Sequence, residues 1–144
     1  MARRLVGEHD ITILPLDDIA WNPDVVRKPL EESLDLLHAF IRDHPQWIIE
    51  GCYADLVEAA LPHCDELRFL NPGVDVCIEH CRARPWEPDK YPDRAAQDAR
   101  LNALIDWVRQ YEIRDDEFGF TRHRAVFDGF SGPKHEYRNV TDYA

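Results

Sequence analysis

Apolar side chains enter this chain as a short run, Ile11 to Leu16, interrupted by Thr12 and Pro15, and the run predicts a buried or edge strand. Asp17 to Lys28 is polar and carries Pro23, so it reads as a loop. Pro29 then suits the first position of a helix, with Glu31 and Glu32 well placed against its positive end. Leu30, Leu34, Leu37 and Ile41 follow helical spacing, which predicts an amphipathic helix over 29–43, closed by Pro45. Trp47-Ile48-Ile49 is strand-like and ends sharply at Gly51.

The second half repeats the alternation. Ala54 to Leu61 predicts a short helix stopped by Pro62, and Glu66 to Leu70 a strand ended by Asn71-Pro72-Gly73. Val74, Cys77, Ile78 and Cys81 share one helical face. Residues 82–95 hold three prolines among mixed charges and predict an exposed, mobile excursion. A long helix is expected at about 96–113, with Leu101, Leu104, Ile105, Val108 and Tyr111 as its stripe. The tail gives a helical signal around Val126, Phe127 and Phe130, then Gly132-Pro133 and a strand near Tyr137. Short strands alternating with helices imply an α/β layered fold with a mainly parallel sheet, built as one domain over 1–144.

Composition narrows the function classes. At 144 residues and 44% hydrophobic content the chain has the material for one real core. Its net charge of −11 argues against a general nucleic-acid binder, while leaving room for a local basic pocket. No apolar run approaches the ~20 residues that span a bilayer. Two N-terminal arginines meet Gly7-Glu8-His9-Asp10 at once, without a signal-peptide core. Four cysteines without secretory context read as reduced thiols. Cytoplasmic location is therefore expected, with no membrane partner.

Candidate chemistry is sparse. Cys77, His80 and Cys81, and His63-Cys64, are metal-ligand types, but they form no C-x-x-C, and Cys77 and Cys81 lie on an apolar stripe. They read as small buried hydrophobes, and no metal site is expected. Cys52 has no activating base in view, the other histidines are scattered, and Asp115-Asp116-Glu117 reads as an exposed linker.

The order of the remaining features carries more. Leu16-Asp17-Asp18-Ile19-Ala20-Trp21-Asn22-Pro23 places an acidic residue at a strand end ahead of a Trp-x-Pro loop. Trp47-Ile48-Ile49-Glu50-Gly51-Cys52-Tyr53 follows as a strand ending in an acidic-Gly-x-Tyr turn. Leu67-Arg68-Phe69-Leu70-Asn71-Pro72 is a further strand end, and Cys81-Arg82-Ala83-Arg84-Pro85-Trp86 with Lys90 is a basic excursion. Together these resemble small P-loop kinases of the nucleoside and shikimate kinase type, specifically bacterial shikimate or adenylate kinase-like proteins and those labelled "DNA topology modulation". The resemblance runs from residue 1 to about 138.

It implies a three-layer α/β/α fold. It also implies transfer of the ATP γ-phosphoryl group to a small-molecule or nucleotide acceptor, with Mg²⁺ assisting. Asp17 and Asp18 would serve as general base and ligand of a Mg²⁺-bound water. Trp21, Glu50, Gly51 and Tyr53 would face the acceptor, and Arg82, Arg84 and Lys90 would close over phosphate as a lid at about 82–95. Asn71 stands where the family commonly has Asp, which removes a metal-ordering carboxylate.

One departure is severe. The phosphate-cradling pattern G-x-x-x-x-G-K-[ST] occurs nowhere among the six glycines, and Met1-Ala2-Arg3-Arg4-Leu5 reads like the helix that should follow it. Gly129 to Lys134 is a poor substitute, because Pro133 has no N–H and neither Ser nor Thr follows Lys134. The family's first strand, absent here, sits between its third and fourth. Its absence leaves two inner edges unpaired unless the sheet closes up. Losing about three charge-assisted hydrogen bonds costs roughly 4–9 kcal/mol of nucleotide binding. This chain is therefore expected to bind ATP weakly or use no cofactor, as a degenerate kinase-like domain or a non-catalytic module using the residual acceptor pocket.

Overall fold

A computed structural model describes residues 11–24, 26–88 and 91–142. The helix-like reading of Met1 to Leu5 lies outside the described residues.

The apolar run becomes β1 (Thr12–Pro15), which pairs in parallel with β2 (Trp47–Glu50), Ile13 opposite Ile48. The stretch expected as a loop instead opens with a short helix, α1 (Asp17–Ala20). Its two carboxylates sit in the first turn, where the helix end is positive, and Ile19 and Ala20 turn inward. Helix α2 (Leu30–Asp43) follows Pro29 and crosses from β1 to β2. Beyond β2, α3 (Ala54–Ala60) runs into a 3₁₀ turn containing Pro62. Leu14, Leu16, Ile19, Ala20, Leu37, Tyr53, Leu56 and Ala60 form one buried cluster joining these elements.

The chain then starts again. Strand β3 (Leu67–Leu70) leads into α4 (Val74–Arg82), α5 (Arg94–Arg109), α6 (Phe120–Gly129) and β4 (Lys134–Tyr137). β4 pairs in parallel with β3, Phe69 opposite Glu136. Asp93 fixes the start of α5 by accepting a hydrogen bond from the Ala96 N–H at 2.8 Å. The helix ends sooner than its apolar stripe suggests, because tight turns through Tyr111 and Ile113 unwind it. Ile78 and Cys81 of α4 meet Ile105 of α5 in a second, smaller cluster.

The fold is mixed α/β with small parallel sheets, but the three early strands do not share one sheet. β1 pairs with β2, β3 pairs with β4, and β2 does not pair with β3. A cavity of about 650 Å³ is lined by residues of both pairs. Residues 111–123 bridge the halves. The Ala54 N–H donates to the Glu117 carbonyl at 3.2 Å, Phe118 packs edge-on to Tyr53, and Arg122 pairs with Glu58.

Candidate functional site

The carboxyl ends of β1 and β2 meet where α1 and α3 begin. Tyr53, buried at the start of α3, donates its hydroxyl to Asp17 and accepts from the Trp21 indole N–H at 2.5 Å. Burial, then the hydrogen bond to Asp17, drives the Tyr53 phenol well above its usual range. It therefore stays a neutral donor. A carboxylate has about four acceptor positions. Tyr53 uses one of those on Asp17, so the exposed Asp17 side chain retains capacity to orient a hydroxyl.

Arg27 locks the loop beneath this chain of hydrogen bonds. Its guanidinium donates to the Ala20 carbonyl at 3.0 Å, Ser33 Oγ at 3.3 Å and Asp55 Oδ2 at 3.3 Å, and it stacks on Tyr53 with Cζ 4.9 Å from the ring centroid. Ser33, fully buried, donates its own hydroxyl to the Ile19 carbonyl at 2.9 Å. The planar, always-charged fork of Arg suits such a multiple contact, and Lys does not.

Of the expected acceptor residues, Asp17, Trp21 and Tyr53 come together, and Gly51 and Glu50 border the adjoining cavity with Asp17. A Cβ at Gly51 would stand 2.9 Å from that of Leu16, so the β2 exit needs glycine to pass β1. Asp18 is exposed and makes no hydrogen bond or ion pair among the described residues. Arg82 and Arg84 are exposed, and neither borders the cavity; Lys90 lies outside the described residues. The excursion is pinned to α5 by Gln97, which donates to the Pro85 carbonyl and accepts from the Glu87 N–H, both at 3.0 Å.

Cys52 is open to solvent at its surface while its sulfur is crowded by neighbouring protein. Accessibility decides whether a reagent reaches it, and crowding decides its titration. Burial first, then the nearby Asp17 charge, raises the thiol to about 11, so little thiolate exists at neutral pH and a nucleophilic role is disfavoured.

On the other half, Asn71 donates to Glu136 at 2.8 Å, beside Arg124 at 2.5 Å and Arg138 at 3.0 Å. An Asp at 71 would set a second carboxylate against Glu136, which explains the amide there. His123 Nε2 lies 2.8 Å from the Cys52 carbonyl and Nδ1 lies 2.9 Å from the Tyr111 hydroxyl. A carbonyl only accepts, so Nε2 carries the proton and Tyr111 donates to Nδ1. Sequence reasoning passed over Arg27, Ser33, Asp55 and His123. The only signal was an arginine inside a short loop between Pro23 and Pro29.

Among the described residues, the Gly129 to Lys134 stretch does not fit the phosphates of a nucleoside triphosphate. Lys134 donates to the carbonyls of Phe127, Asp128 and Phe130 at 2.9, 2.9 and 2.8 Å. It caps the negative end of α6, so Gly129 to Lys134 gathers carbonyls where a phosphate site needs N–H groups. Arg68, which borders the cavity, holds Glu66 at 2.7 Å. Among the described residues no group of three His, Cys, Asp or Glu is placed to hold a metal ion, and no helix is long and apolar enough to cross a membrane.

No protein-family model matches the chain, and no solved structure matches it.

Proposed function

We propose that this chain is the acceptor side of a P-loop-kinase-like phosphotransferase fold, three-layered in its complete form, and that by itself it binds an acceptor without transferring phosphate. The observation carrying the reading is the break in the sheet. In this reading β2 and β3 are the strands between which such kinases place their first strand, and its support is that these two strands do not pair with each other. Asp17, oriented by Tyr53 and Trp21 at the carboxyl ends of parallel strands, suits a base for a small hydroxyl-bearing or nucleotide acceptor. The phosphate-binding part that ATP and Mg²⁺ would require is not supplied by these residues, so no transfer step is assigned to them.

Calorimetry tests this directly. The 144-residue chain should bind Mg·ATP more weakly than about 100 μM. A chimera carrying a family strand and phosphate loop ahead of Met1 should gain at least tenfold. Micromolar binding by the chain alone, or no gain in the chimera, overturns the proposal.

A second reading, a non-catalytic binding module, is favoured by the cavity's predominantly apolar lining, which includes Ile49, Val57, Tyr111 and Phe127.

A further inference from the structure

The charged side chains lining the cavity do not balance. Among the described residues Arg68 is the one arginine or lysine on its wall, and it already holds Glu66 at 2.7 Å. His123 has both ring nitrogens engaged, on the Cys52 carbonyl and the Tyr111 hydroxyl. Two carboxylates on the same wall have no cation beside them. Glu50 makes no hydrogen bond or ion pair among the described residues, and Asp17 accepts from the Tyr53 hydroxyl alone. Both stand at the carboxyl end of the β1–β2 pair: Glu50 closes β2 opposite Pro15, and Asp17 follows the last residue of β1 by two positions.

The rest of the lining is chiefly apolar and includes Ile49, Val57, Val108, Phe118 and Phe127. A space of about 650 Å³ lies within the range of roughly 300–1,000 Å³ that small-molecule sites occupy. The two acids are exposed and screened by water, so they hold little by themselves. Beside an apolar hollow they decide the sign of charge that a guest can carry. An anionic guest would set like charges together with no cation to offset them. A neutral apolar guest gains from burial alone. A guest with an apolar body and an ammonium head gains twice, because three N–H donors meet groups that only accept, in charge-assisted hydrogen bonds.

We propose, resting on the binding-module reading, that the cavity binds a small organic cation: an amine with an aryl or alkyl body, its ammonium held by Asp17 and Glu50 and its body packed on the apolar wall.

Three probes of one shape separate charge from burial: phenylbutylamine, phenylbutanol and phenylbutanoate. Each is titrated by calorimetry into the full chain at neutral pH and low salt. The amine should bind with a dissociation constant of about 0.1–1 mM, at least about fivefold below that of the alcohol. The carboxylate should bind more weakly than the alcohol, and added salt should narrow the gap between amine and alcohol. Asp17→Asn combined with Glu50→Gln should cut the advantage of the amine to under about twofold while leaving alcohol binding nearly unchanged, which separates lost charge from lost fold. Asp35→Asn removes an exposed acid of α2 that does not border the cavity, and it should keep the advantage. In amide spectra of the parent, the amine should move Gly51 and Val108, which border the cavity, more than Asp35 or Ile113, which do not.

Equal binding of amine and alcohol by the parent, or tighter binding of the carboxylate, overturns the cation class and leaves a binding cavity in place. An amine advantage that survives in the double variant, or shifts centred away from the lining, overturns the assignment to this cavity. Binding of none of the three probes at about 10 mM overturns the cation class and the binding-module reading together.

Discussion

The two halves of the molecule are held together by different forces. From β1 to α3, eight buried residues form one apolar cluster, and Leu16, Leu37 and Leu56 have no exposure. From β3 to β4, the buried cluster has three members, Ile78, Cys81 and Ile105. Much of the rest is aromatic and ionic. Arg124 sits 5.1, 5.5 and 5.4 Å from the ring centroids of Phe69, Phe120 and Phe127 while pairing with Glu136. The first half relies on water being excluded, the second on charges and rings at a partly wet surface. A half stabilised in the second way should be the more sensitive to acid and the less sensitive to truncation of one apolar side chain.

Core truncation gives the largest contrast. Leu37→Ala should cost about 3 kcal/mol, whereas Leu104→Ala, at a partly buried position, should cost under about 2 kcal/mol. Urea midpoints at constant slope measure both, and an equal or larger loss at Leu104 would erase the distinction between the halves.

The bridge between halves is next. A Cβ at Gly119 would fall 2.4 Å from the Arg114 carbonyl oxygen, so Gly119→Ala must push backbone apart and should cost about 1–3 kcal/mol. A Cβ at Gly129 would meet nothing within 4 Å, so Gly129→Ala is the matched control and should be neutral or slightly stabilising. Similar losses at the two glycines would mean that the bridge carries no special constraint.

Acid should separate the halves by a smaller amount. Hydrogen bonds from Arg124, then Arg138 and Asn71, hold the Glu136 carboxyl at about 2, against an ordinary value of 4.5. A depressed carboxyl stabilises the fold above its unfolded value, so this contribution is full above about pH 4.5 and fades as pH falls towards 2. Glu136→Gln should flatten urea stability over that window while leaving its shape near neutral pH. A parent whose stability does not change between about pH 5 and pH 2 contradicts the ionic account of the second half.

The smallest effect belongs to the first half's polar chain. Tyr53→Phe removes the donor to Asp17 and the acceptor for Trp21, both of which reach solvent, so about 1 kcal/mol should be lost. Trp21 emission should shift as its indole N–H exchanges protein for water. An unchanged spectrum would dissolve the proposed orientation of Asp17.

Much of the local structure was legible in the order of residues. Pro29 and the Leu30, Leu34, Leu37, Ile41 spacing placed α2 within a residue, and the apolar runs at 47–49 and 66–70 placed β2 and β3 almost as closely, because helix starts and strand runs depend on near neighbours. The same reasoning put Asp17, Trp21, Gly51 and Tyr53 near one another only through a family likeness. It read 17–28 as loop throughout, since a single turn of helix has too few positions to show a period. Pairing was another matter. A strand's sequence says which faces are apolar but not which edge meets which strand, so nothing local distinguishes one sheet from two. Arg27 was equally hidden: its role exists only because Asp55, far along the chain, and buried Ser33 arrive at the same guanidinium. The elements and their caps have causes that lie within a few residues, and for them the order of residues sufficed. The cavity lined by residues of β2 and β3, and the carboxylate poised beside it, arise from contacts between distant segments and were settled only when the chain folded.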